Sequence, residues 1–129
     1  MVMPVAASAW LGGAGVRATT HADTLTGGAG NDTFAVHHSG DRVIEAAGGG
    51  TDRIDAYANH TLFAGSEVEA IYAMGSAGRV LTGNTLANTI VGGAANDTLA
   101  GGAGDDTLAG NAGDDVLLGE AGSDRLIGG

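Results

Sequence analysis

From Gly83 onward one apolar residue returns at every ninth position: Ile90, Leu99, Leu108, Leu117 and Leu126. The residues between them are mostly glycine, asparagine, aspartate, threonine and alanine. Cutting the chain at the same interval gives GNTLANTIV, GGAANDTLA, GGAGDDTLA, GNAGDDVLL and GEAGSDRLI, followed by GG. Gly83, Gly92, Gly101, Gly110, Gly119 and Gly128 fill the first column, and Asn88, Asp97, Asp106, Asp115 and Asp124 fill the sixth. The opening residues of each unit are turn formers, because glycine reaches positive φ without steric cost and Asn and Asp tolerate turn geometry. The last three suit a short strand. Alternate side chains of a strand face opposite ways, so the eighth-column residue faces inward.

A turn followed by a strand, repeated, predicts two units per coil of 18 residues, with odd and even units stacking into two parallel sheets. Ile90, Leu108 and Leu126 then line one inner face, and Leu99 with Leu117 the other. A single unit cannot bury its own apolar face, so stability is shared between neighbouring coils. The frame also holds earlier in the chain. Residues 27–35 read GGAGNDTFA, and nine residues to either side of Asp32 and Phe34 lie Asp23 with Leu25 and Asp41 with Val43.

This stacking sets Asp97 beside Asp115 and Asp106 beside Asp124, about 4.8 Å apart. Like carboxylates held so close resist ionisation, so the columns call for a cation between the turns. Carboxylates joined by glycine-turn carbonyls form a hard oxygen donor set. Such a set suits Ca²⁺, with 6–8 ligands at about 2.3–2.6 Å, better than Mg²⁺, which demands tight octahedral geometry.

GGAGNDTFA and GGAGDDTLA resemble the G-G-x-G-x-D-x-apolar-x nonapeptide of the repeats-in-toxin (RTX) family, the hemolysin-type calcium-binding repeats. The resemblance implies an all-β, right-handed parallel β-roll with calcium held between successive turns on one edge. It implies side-chain ligands at Asp32, Asp97, Asp106, Asp115 and Asp124. It also implies turn glycines at Gly27, Gly28, Gly30, Gly101, Gly102, Gly104, Gly113 and Gly122, whose region offers carbonyls. The departures carry expectations of their own. Asn88 has one charge fewer and marks the weakest site. Ala95 replaces the fourth-column glycine, at a cost of about 1 kcal/mol if φ is positive there. Asn111 and Glu120 replace the second glycine, with Glu120 exposed.

The chain reads as one continuous solenoid in four stretches: an N-terminal cap over 1–17, a degenerate first segment over 18–60, an irregular spacer coil over 61–82 and the regular repeats over 83–129. Trp10 and Leu11 are expected to cover the first coil. Strands are predicted near Arg42–Glu45 and Asp52–Ala56, and Leu62, Val68, Ile71 and Val80 are the expected core of the middle. Asp41, Glu45 and Asp52 are candidates to complete a site near Asp32. Ending on Gly128-Gly129, the start of another unit, points to a fragment or to an end held by partner contacts.

Composition narrows the function classes. With 15 acidic and 5 basic residues, the formal net charge of −10 disfavours nucleic acid and anionic membrane and favours cations. Aromatic residues make up 4% of the chain, too few for an ordinary core of this length. The absence of cysteine excludes disulfides and thiolate metal sites. No apolar stretch is long enough to span a bilayer as a helix.

Neither H-E-x-x-H nor G-x-S-x-G occurs, and His37-His38-Ser39 with Asp41 is the only cluster with any catalytic semblance, so no enzyme activity is expected. The expectation is a secreted, extracellular calcium-dependent folding and secretion module without a cleaved N-terminal signal. The alternatives are an adhesion module gripping a polysaccharide or cell surface through outward Thr89, Thr98 and Thr107, or the tail of a secreted hydrolase.

Overall fold

A computed structural model describes residues 15–18 and 20–129 of the chain. Every regular element among them is a short strand, as the turn-strand grammar requires. One face carries β1 (Gly15–Arg17), β3 (Thr33–Val36), β5 (Arg53–Ala56), β7 (Ala70–Ala73), β9 (Thr89–Val91), β11 (Thr107–Ala109) and β13 (Arg125–Ile127), hydrogen-bonded in that order. The other face carries β2 (Thr24–Leu25) with β4 (Arg42–Val43), and then β6 (His60–Thr61), β8 (Val80–Thr82), β10 (Thr98–Ala103) and β12 (Val116–Ala121). All pairings are parallel, and the chain alternates between the faces, so the fold is a parallel β-solenoid of the β-roll type.

The 18-residue coil is present at both ends. Thr24 pairs with Arg42, Leu99 with Leu117, and Ile90 with Leu108 and then Leu126. Between them the coils stretch and shrink. Thr33 pairs with Arg53 across 20 residues, and Arg53 with Ala70 across 17. The strands keep their register while the turns absorb the difference, which is why the nine-residue frame disappears from the middle although the solenoid does not. Residues 42–45 and 52–56, expected as strands, contain β4 and β5.

One face is divided, where two unbroken sheets were expected. Beyond Val43 the neighbour of β4 is the 66–67 segment: the Glu67 N–H donates to the Glu45 carbonyl (3.1 Å), and the Glu45 N–H to Ser66 Oγ (3.0 Å). β6 pairs forward with β8 instead. The longer coil between them displaces the strand that would have continued the sheet.

The core is a ladder of single inward residues. Phe34, Ile54, Ile71, Ile90 and Leu108 line the first face, and Leu25, Val43, Leu81 and Leu99 the second, all fully buried. Burial of one such side chain is worth about 1.5–3 kcal/mol, and each depends on the coils above and below for its cover. Leu62, Val68 and Ile71 are buried as expected, but Val80 is 48% exposed and Leu81 takes the inward place. A strand has period two, so assigning the inward position one residue early exchanges the faces. Leu126 keeps its inward register but is 49% exposed, since no described coil covers it. Gly15–Arg17, expected within the cap, form β1 against β3, while Trp10 and Leu11 lie outside the described residues.

Candidate metal centre

The residue immediately before each strand forms a column along an edge of the solenoid. Strand register places Asp32, Asp52, Glu69, Asn88, Asp106 and Asp124 on one edge, and Asp23 with Asp41, then Arg79, Asp97 and Asp115, on the other; before β6 the register is one residue out of step, and Asn59 lies beside Val80. Within each column a carboxylate accepts the main-chain N–H of its counterpart one coil earlier. Asp52 accepts from Asp32 (2.8 Å), Glu69 from Asp52 (2.7 Å), Asp106 from Asn88 (2.8 Å) and Asp124 from Asp106 (3.0 Å). On the second edge Asp41 accepts from Asp23 (2.9 Å), Asp97 from Arg79 (2.6 Å) and Asp115 from Asp97 (2.8 Å). These bonds use one oxygen of each carboxylate, and in Asp97, Asp106, Asp115 and Asp124 the other lies beside the first-column glycine of its own turn.

The glycines of the first column leave room for that second oxygen. A side chain on Gly101 would collide with Asp106 Oδ2 and with the Gly119 carbonyl, 2.8 Å away, one coil on. A side chain on Gly92 would meet Asp97 Oδ2 at 2.7 Å and the Gly110 carbonyl at 2.5 Å. The same gap at Gly83 is bounded by Asn88 Oδ1 and the Gly101 carbonyl. Gly83, Gly92 and Gly101 therefore each mark a space with a side-chain oxygen from one coil and a main-chain oxygen from the next. Asp106 Oδ2 is buried there with no hydrogen-bond partner, and so is Asp52 Oδ2. Burial pushes the Asp106 carboxyl above its usual range. The Asn88 N–H counters this, while the negative Asp124, Asp105 and Glu120 add to it. Asp52 is also raised, first by burial, against the Asp32 N–H and with the charges of Glu45, Glu69 and Asp32. Oxygen-only donors, buried and repelling one another, are what a hard divalent cation such as calcium relieves.

A family model for the RTX calcium-binding nonapeptide repeat matches residues 17–35, 82–117 and 101–129, more than half of the chain. The chain belongs to the RTX calcium-binding repeat family. Comparison with curated proteins and with solved structures found no significant match.

The RTX turns are not all alike. Positive φ occurs at the second and fourth columns in four of them: Gly28 and Gly30, Gly102 and Gly104, Asn111 and Gly113, Glu120 and Gly122. Gly93 and Ala95 both lack positive φ, so the turn before Asp97 follows another path and Ala95 escapes the strain expected for it. In that turn the Gly93 N–H donates to Asp97 Oδ2 (2.6 Å), which leaves Asp97 with both oxygens hydrogen-bonded. The turn before Asn88 does likewise, with the Asn84 N–H on Asn88 Oδ1 (3.0 Å), and the Asn88 amide donates to the Val68 carbonyl (2.9 Å). Asp97 is therefore less free than Asp106, a distinction invisible in the aligned columns. Glu120 is exposed, as expected.

Upstream, the candidates for completing a site near Asp32 separate. Asp32, Glu45 and Asp52 are buried, and each offers one oxygen within 4.8 Å of the others. Asp41 is not with them. It lies on the opposite edge, where its Oδ2 accepts the N–H groups of His37 and His38 (both 3.0 Å). His38 Nδ1 accepts the Gly40 N–H (2.9 Å), and the His37 ring stacks on Tyr57 at 4.6 Å. The two histidines belong to a capped turn rather than to one strand.

Two members of the columns escape a reading by motif. Glu69 fills an aspartate position inside the irregular spacer, and Arg79 fills the same position in the unit 74–82. Counting nine residues back from Asn88 and Ile90 reaches Arg79 and Leu81, which is the signal for that unit.

Proposed function

We propose that this chain is a calcium-dependent folding and secretion module that acts outside the cell. The observation carrying this reading is the buried, unpartnered Asp106 Oδ2 in the gap left by Gly101, opposite the Gly119 carbonyl. Carboxylates stacked in this way oppose the fold until a cation joins them. In the proposed ligand set Asp32, Asp97, Asp106, Asp115 and Asp124 supply carboxylates. The turns containing Gly27, Gly28, Gly30, Gly101, Gly102, Gly104, Gly113 and Gly122 supply carbonyls. Five divalent ions would offset the formal charge of −10.

Extracellular calcium modules bind with dissociation constants of about 10⁻⁴–10⁻³ M, which keeps such a chain unfolded where calcium is scarce and folds it where calcium is millimolar. No catalytic role is part of this reading. The adhesion alternative has weaker support, because the outward column of the first face runs Thr33, Arg53, Ala70, Thr89, Thr107, Arg125 rather than as a uniform threonine row. Circular dichroism during a calcium titration tests the proposal. Strand signal should appear with calcium and vanish with a chelator, and equal signal in both conditions overturns the folding switch.

A further inference from the structure

We infer that Asp32, Glu45 and Asp52 form a three-carboxylate calcium site that the nonapeptide alone does not encode, and that it is the tightest site in the chain. The inference rests on the calcium-binding reading above and goes beyond its ligand set. Register places Val43 on Leu25, which stacks Glu45 on Gly27, so Glu45 stands where a regular repeat has its first glycine. Its side chain folds back into the preceding turn. Oε2 accepts the Gly27 N–H (3.1 Å) and Oε1 the Gly28 N–H (3.2 Å). The carboxylate thereby enters the gap that Gly27 leaves open beside Asp32 Oδ2. At Gly83, Gly92 and Gly101 that gap faces a main-chain carbonyl instead.

Asp52 arrives from the same following coil, fixed by the Asp32 N–H on its Oδ1 (2.8 Å) and by its own N–H on Glu69 (2.7 Å). Hydrogen bonding to turn amides accounts for Glu45, but it does not account for Asp52. That residue is 1% exposed, and its Oδ2 has no hydrogen-bond partner. Oxygens no more than 4.8 Å apart leave a point within about 2.8 Å of all three, a few tenths of an ångström beyond the calcium–oxygen range of about 2.3–2.6 Å, so a small closure lets one ion reach all three carboxylates. The Gly28 and Ala46 carbonyls border the neighbouring gap at Gly49, 2.9 and 3.1 Å from where a side chain would start, beside Glu45 Oε1. Affinity in such sites follows the number of charged ligands. Three carboxylates meet here, two at Asp106 with Asp124, and one at Asn88 with Asp106.

Calorimetric titration of the full chain with calcium tests this. The intact chain should show one ion bound more tightly than the rest. Glu45→Gln and Asp52→Asn should each weaken that phase by about tenfold or more while leaving the weaker phase. Asp124→Asn should remove a weak ion and spare the tight one. An unchanged tight phase in Glu45→Gln and Asp52→Asn overturns the inference while leaving the calcium reading intact, whereas no calcium bound by the intact chain overturns that reading itself. If the variants fail to fold, trace Mn²⁺ exchanged into the calcium-loaded intact chain decides. Broadening of the Gly27, Gly28 and Asp32 amide signals supports the site, and its absence overturns it.

Discussion

Asp124 Oδ1 accepts the Asp106 N–H at 3.0 Å across one step of the solenoid, and Asp106 in turn accepts the N–H of Asn88. Asp106 thus borders two successive turns on its edge, with Oδ2 left unpartnered between them. Asp106→Ala should lose at least one bound calcium in calorimetry. At calcium about a hundredfold above the dissociation constant it should lower stability by about 3 kcal/mol, the linkage value of one site. Unchanged stoichiometry removes Asp106 from the ligand set.

Gly101 separates the cation cradle from backbone strain. Its φ is not positive, yet a methyl group there would lie against Asp106 Oδ2 and the Gly119 carbonyl. Gly101→Ala should therefore abolish a calcium site although alanine tolerates the backbone. Gly128 belongs to the same column but meets nothing within 4 Å, so Gly128→Ala should bind calcium like the unaltered chain. Equal calcium binding by the two variants would show that the gap at Gly101 holds no ion.

Asn111 (φ 69°) and Glu120 (φ 71°) hold second-column positions where other turns have glycine. Glu120→Gly should stabilise the calcium-loaded fold by about 1 kcal/mol, by removing left-handed strain from a non-glycine residue. Asn111→Gly should not, because asparagine tolerates that region and its amide donates to the Gly92 carbonyl (2.8 Å), a bond the variant loses. Thermal melts at saturating calcium compare the two. A lower melting point for Glu120→Gly contradicts the strain argument.

His60 occupies an inward position stacked on Leu81, 2% exposed, with both ring nitrogens buried and unpartnered. Burial lowers its pKa to about 4, against the smaller opposing effect of Asp41. The unfolded chain takes up this proton near pH 6.5 and the folded chain only near 4, so stability falls as pH drops through that window. The loss from this group should approach about 3 kcal/mol at the acid end. His60→Leu should be more stable and should lose less on acidification, because nothing hydrogen-bonded is given up. Parallel pH profiles for the two proteins, measured by urea unfolding at saturating calcium, rule out His60 as the source.

The sequence by itself determined the repeating unit and hence the architecture. One apolar residue in nine, set among glycine and aspartate, admits a turn and a short strand. The stacking of Leu99 on Leu117 and of Ile90 on Leu108 follows from that period alone. The family and the identity of the repeating acidic positions were legible for the same reason, since turn chemistry depends on adjacent residues. Tertiary structure decided whatever depends on which coil lies next to which. Irregular turns take up 20 or 17 residues per coil, so Asp52 and Glu69 join the acidic column of Asp32, where no count of nine would place them. Asp97 and Asp106, identical as letters in their columns, differ because the amide of Gly93 closes one turn while Asp106 Oδ2 is left without a partner. Contacts between coils are set by the backbone path of both turns, and a linear pattern carries only the residues of each.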